Sequence, residues 1–193
     1  MSQKLGTLSG KYILVEALQR WIDRISLVSA YLAAGCLAML TLLTLCQVAL
    51  GLLSKVSSVF PSDIAVGWEY SAYLMGTAFM LGGALTMRAG MQIRVEILMK
   101  LIGGQFQRLM EIVASLIGAG FVSFLAVSLA LFALDSYRSG QVSGGSFTPL
   151  WIPQATLAIG TTIFALQSIM RVIAAVLGLP LINESFKVAS ASE

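Results

Sequence analysis

Histidine is absent from the 193-residue chain. That excludes bis-histidine haem ligation, histidine proton relays and an imidazole-built transition-metal site. No GxxxxGK[ST] segment occurs, which excludes nucleotide hydrolysis of that type. Membrane serines and threonines are present without a base beside them, so no enzyme activity is expected. The two cysteines, Cys36 and Cys46, lie ten residues apart on one predicted helix. At a rise of 1.5 Å per residue that is roughly 15 Å, too far for a disulfide. Charge is the scarcest commodity: 11% of residues are charged against 58% hydrophobic. Soluble domains carry about 25% and 45–50%. A water-soluble fold is excluded, and the solvent is lipid.

What is present is a set of long apolar runs. A spanning helix needs about 20 largely apolar residues, and residues 25–53, 65–87, 112–134 and 153–176 qualify. These runs do not alternate polar and apolar side chains as barrel strands would. The expected fold is therefore all-α and integral to the membrane, one domain over residues 1–193 with four transmembrane helices. The first run is longer than a signal peptide's roughly 7–15 apolar residues, so no cleaved leader is expected.

Basic residues are distributed unevenly. Lys4, Lys11, Arg20 and Arg24 precede the first span; Arg88, Arg94, Lys100 and Arg108 lie between the second and third; Arg171 and Lys187 follow the fourth. Only Lys55 and Arg138 fall on the opposite side. Lysine and arginine in short loops stay cytoplasmic, so both termini are expected inside. The net charge of +3 follows from this bias, and no basic–aromatic interleaving points to nucleic acid.

Two further segments are expected at the membrane surface. In residues 10–24, Leu14, Leu18 and Trp21 recur at helical spacing with charge on the other faces. That pattern suits an amphipathic in-plane helix, the alternative being a cytosolic extension of the first span. Residues 91–102 place Ile93, Ile97 and Leu101 on one face, the mark of a cytoplasmic surface helix ended by Gly103-Gly104. Trp21, Arg24, Arg88, Arg94 and Trp151 are the candidate membrane anchors; Arg88 is expected to snorkel to the headgroups.

Small residues let membrane helices approach closely. Ala30, Ala34 and Ala38 form such a stripe in the first span. In the third, Ala114, Gly118, Ala126 and Ala130 form one ridge, and Ser115, Ala119 and Ser123 lie beside it. These faces could close a self-contained bundle or dock against another protein; the pattern leaves both open. Glu69 is the one carboxylate clearly inside an apolar run. Such a residue can be an ion site. Its position one turn into the second span, beside Trp68 and Tyr70, favours a carboxylate that reaches water at the helix N-terminus. No repeat, broken helix or midplane polar group of a lone transporter is seen, which argues for an accessory role.

The second span and the loop after it carry a resemblance. Trp68-Glu69-Tyr70, then Gly76, Phe79, Gly82 and Gly83, then Arg88-Ala89-Gly90 and Gln92-Ile93-Arg94-Val95-Glu96, resemble the small membrane subunit of tripartite ATP-independent periplasmic (TRAP) transporters, the DctQ type. Leu150-Trp151-Ile152-Pro153 and Ala165-Leu166-Gln167 are similar to that family as well. The chain departs from it at Gln92 and Glu96, where histidine and aspartate are common. The resemblance implies a non-catalytic scaffold without cofactor or metal, in the bacterial inner membrane. Its implied partners are a large TRAP subunit bearing the sodium and substrate sites and a periplasmic binding protein delivering an organic acid. Trp68, Glu69, Ala72, Gly76 and Gly83 are then the candidate contact with the large subunit. From another class, a small proton-coupled exporter would use Glu69 as its ion site.

Overall fold

The computed structural model describes residues 2–57, 59, 61–90, 105–181, 183 and 186. Four helices account for most of them: α1 (Ser2–Val56), α2 (Gly67–Arg88), α3 (Gln105–Ser139) and α4 (Trp151–Leu177). Among the described residues the only β pairing is a single bridge, Val142 to Pro149. By length and composition, Val15–Val56, Arg108–Ser139 and Trp151–Leu177 are suited to cross a membrane. The remaining helix, α2, is diluted by glycine, threonine and tyrosine and does not reach that standard by itself; it lies between α1 and α4.

α1 runs unbroken through 55 residues, roughly 80 Å at 1.5 Å per residue. That exceeds the hydrocarbon core of about 30 Å. No glycine or proline occurs between Lys11 and Ala34, so nothing in the sequence breaks the helix there. The expected division between residues 10–24 and 25–53 is not marked by any interruption. The surface helix expected over residues 91–102, Arg94 included, lies outside the described residues.

The helices pack in the order α1, α2, α4, α3, with a smaller contact between α1 and α4. α2 and α4 are the inner pair. α1 and α3 sit at the edges and turn long apolar faces outward, such as Leu42, Leu45, Val48 and Leu52 on α1 and Phe121, Phe124, Val127 and Leu131 on α3. Apolar exposure on this scale is untenable in water. The interior is instead small and hydroxylic: Ser26, Ser29, Ser136, Thr161 and Ser168 are its largest fully buried side chains. In lipid, with little hydrophobic drive between helices, small residues and hydrogen bonds set the contacts.

Close approach is greatest where α4 crosses α2. A Cβ on Gly160 would lie 2.9 Å from the backbone of Met80 and Leu81. Below and above this point, Gly76 faces Leu157 and Gly83 faces the Phe164 ring. Thr77 and Thr156 join their hydroxyls at 3.0 Å. On the other flank of α2, the Ser29 hydroxyl donates to the Leu81 carbonyl at 2.9 Å, and Ala33 packs towards Gly82. The packing ridges match those read in the sequence in part: Ser115, Ala119 and Ala126 on α3 are buried as read, and the ridge on α1 is shifted. On α1 the buried line is Ile22, Ser26, Ser29 and Ala33, whereas Ala34 and Ala38 are exposed. On α3 it is Ser115, Ala119, Val122, Ala126 and Ala133, whereas Ala114 and Ala130 face out.

α4 ends at Gly178, whose φ of 72° is open to glycine without a Cβ penalty. The Leu179 N–H caps the helix by donating to Ala174 O at 2.9 Å. The turn delivers residues 179–183 to the end of α2, where the Asn183 N–H reaches Arg88 O at 3.1 Å. The N-terminal part of α1, the end of α2 and the segment after α4 thus meet at one end of the helix layer. The connections before α2 and between α3 and α4 lie at the other.

Candidate functional site

Polar side chains concentrate at these two ends. At the end shared by α1, α2 and α4, Asp23 is the hub. Its carboxylate lies 3.3 Å from the Arg88 Nε, and its Oδ1 accepts from Gln19 Nε2 at 2.6 Å and from Gln167 Nε2 at 3.2 Å. The Arg88 guanidinium also donates through Nη1 to the carbonyls of Leu181 at 3.1 Å and Pro180 at 3.3 Å. The side chains of Arg88 and Asp23 are only 13% and 11% exposed. Arg88, expected to snorkel outward, is turned inward because a carboxylate 65 residues away offers it a partner. A second ion pair, Arg171 to Glu111 at 2.7 Å, ties α4 to α3, and Arg108 donates to the Val176 carbonyl at 2.9 Å.

At the opposite end the loop between α3 and α4 folds back over the start of α2. Ser143 donates its hydroxyl to Glu69 Oε1, and Tyr73, one turn along α2, donates to the same oxygen at 2.6 Å. Glu69 is 5% exposed. Its Oε2 is buried and has no hydrogen-bond partner among the described residues; a Cβ on Gly145 would lie 2.9 Å from it. A side chain at this position would push the carboxylate aside. Tyr70 adds a second tie, its hydroxyl 2.8 Å from that of Thr148. The water-reaching carboxylate expected from the sequence is therefore sealed under the loop. Glu69 acts as a clasp between α2 and a segment 74 residues away.

The residues singled out as a partner contact divide between two faces of α2. Glu69, Gly76 and Gly83 point into the chain's own structure, to the loop and to α4. Trp68 and Ala72 are exposed, and Met75 and Phe79 continue their line at helical spacing. Of the candidate anchors, Trp21 and Arg24 are exposed and stack on one another, the guanidinium 5.6 Å from the ring centroid. Trp151 meets Tyr137 edge to face at 5.5 Å where α4 begins. Gln47 of α1 lies against Gly67 at the start of α2.

The sequence reading missed Asp23, Gln167 and Ser143. Gln167 did carry a signal, an amide in the middle of an apolar helix, and Asp23 with Arg88 were opposite charges at the same membrane end. Ser143 had none, being one hydroxyl in a loop of many.

Two carboxylate-centred junctions at opposite ends, Asp23 with two amides and Arg88 and Glu69 with two hydroxyls, fasten helices and a loop; chemically they hold geometry. Comparison with known families places this arrangement. Residues 56–178 match the family model of the tripartite ATP-independent periplasmic transporters, DctQ component. No curated protein and no solved structure gives a match.

Proposed function

Since the chain belongs to the DctQ component family of the TRAP transporters, we propose that it is the small, non-catalytic scaffold subunit of a sodium-driven importer of an organic acid. It works beside a large membrane subunit that carries the ion and substrate sites and a periplasmic binding protein that delivers the substrate. It lies in the bacterial inner membrane with both termini in the cytoplasm. The Asp23–Arg88 end is then cytoplasmic and the Glu69–Ser143 end periplasmic, the assignment that puts ten of the twelve basic residues inside.

The observation that carries the reading is the open helix layer. α1 and α3 stand at its edges, and the line Trp68, Ala72, Met75 and Phe79 on α2 is uncovered. A bundle that closed on itself would pack α1 against α3, and among the described residues the principal helix contacts do not join them. Here the face is left for another protein or for lipid, while Asp23, Arg88 and Glu69 are engaged within the chain. The rigid junctions at both ends suit a fixed support against which a mobile neighbour moves.

The test is co-purification. A tagged copy of this chain, expressed with the large subunit, is expected to retain it through detergent extraction and size exclusion. Trp68→Ala combined with Phe79→Ala is expected to weaken that retention while leaving the chain itself monodisperse. Loss of the large subunit from the wild-type preparation under mild detergents would remove the assignment.

A further inference from the structure

α1 and α4 touch each other only lightly. The gap between them is a groove of about 280 Å³ with Leu81 of α2 as its floor. Ile25, Val28 and Leu32 make one wall, and Ile159 and Ile163 the other. The Ser29 hydroxyl, also at the groove, already donates to the Leu81 carbonyl, so the walls and floor are hydrocarbon. Leu81 follows Phe79 by two residues, roughly 200° around α2. The groove therefore opens on the opposite side of the helix layer from the Trp68–Phe79 line.

A single charge borders it. Arg24 stands at the mouth, exposed, with its guanidinium over the Trp21 ring. Among the described residues no carboxylate pairs with Arg24. The acids of the same helix face elsewhere: Glu16 and Asp23 line a second cavity together with Arg20 and Arg88. Charges balance in that cavity. In the groove one cation stands over apolar walls.

Depth says what fits. From Arg24 to Leu32 is eight residues, about 12 Å, close to the roughly 15 Å of half a hydrocarbon core. A spanning helix of another protein would need a track through the whole core, and this one is a single leaflet deep. A cation at headgroup level above such a slot has the chemistry of a phospholipid site. We propose that the groove holds one anionic glycerophospholipid, its phosphate on Arg24 beside Trp21 and one acyl chain along the Ile25–Leu32 wall. The guanidinium presents paired N–H donors that match a phosphate, and tryptophan suits the headgroup level. No carboxylate lines the groove to receive the ammonium of a zwitterionic headgroup. An acyl chain between two helices meets more atoms than one on a flat helix face, so it is held where the surrounding lipid exchanges. The proposed topology enters only in assigning the lipid to the cytoplasmic leaflet.

The test uses the full chain in mild detergent with equal amounts of dioleoyl phosphatidylglycerol and dioleoyl phosphatidylethanolamine, weighed by native mass spectrometry. One retained lipid is expected, with phosphatidylglycerol favoured about fivefold, the factor one basic residue gives near a membrane surface. Arg24→Gln is expected to bring that ratio to about one. Arg24→Lys should keep most of the preference, and Arg20→Gln, on the other cavity, all of it. Ile163→Phe fills the groove and is expected to lower occupancy by either lipid. Equal retention of the two lipids by the wild-type chain, a preference unchanged in Arg24→Gln, or one lost equally in Arg20→Gln would overturn the site. So would undiminished occupancy in Ile163→Phe. Because the large subunit takes no part in the measurement, any of these results leaves the scaffold reading standing.

Discussion

The junction of Asp23 and Arg88 allows a quantitative test. Replacing Arg88 with leucine leaves the Asp23 carboxylate at 8% exposure with two amide donors and no counter-charge. Breaking one partner of a buried ion pair costs about 3–5 kcal/mol. The carbonyls of Pro180 and Leu181 lose their donor as well, so the upper part of that range is expected. Asp23→Leu leaves Arg88 with those carbonyls and should sit at the lower part, about 3 kcal/mol. The double substitution removes both charges, and isosteric apolar replacements of a buried pair are often close to neutral. It is expected to be less destabilised than either single variant. The assay is a double-mutant cycle of unfolding free energy in mixed micelles, supported by the temperature at which the size-exclusion peak is lost. If the two effects simply add, the residues are not coupled and the junction described above is wrong. Single variants within about 0.5 kcal/mol of wild type would say the same.

Other consequences follow from the packing. Gly160→Val is expected to cost about 1–3 kcal/mol by overpacking, because its Cβ meets the Met80–Leu81 backbone. Gly118→Ala, with nothing within 4 Å, should be neutral or stabilising by up to about 1 kcal/mol; thermal unfolding in detergent compares the two. Glu69→Ala strips the acceptor from Tyr73 and Ser143 and should speed amide hydrogen exchange over residues 142–149, whereas Glu69→Gln keeps a carbonyl oxygen and should change it far less. Arg171→Met leaves Glu111 without this cation and is expected to lower stability by about 3 kcal/mol; Arg171→Lys should recover part of it.

The all-helical fold was legible in periodicity and hydropathy, and three of the helices are long and apolar enough to cross a membrane, since a lipid-facing helix announces itself by its length. Residues 10–24 were read as a separate in-plane helix, with extension of the first span as the alternative; α1 runs through them without interruption, because a helix continues through charged residues until something breaks it. The ridge on α1 was read one position out; on α3 Ser115, Ala119 and Ala126 were among the residues read, but Ala114 and Ala130 face outward. Alanine fills lipid-facing positions as readily as packed ones, and a stripe of them does not say which. Arg88 and Glu69 were both assigned to the membrane surface, because the residues that bury them lie far away in sequence: Asp23 and Gln167 for one, Ser143 and Gly145 for the other. What decides their surroundings is the order of the helices in space, and no local pattern encodes that order. The family resemblance, by contrast, was carried by a contiguous stretch around α2 and was legible at once.

The scaffold account is tested most directly by uptake into proteoliposomes under an imposed sodium gradient, with loaded binding protein outside. This chain alone is predicted to give none, and the complex with the large subunit to give uptake that collapses when the gradient is removed. Uptake by this chain alone would contradict the account.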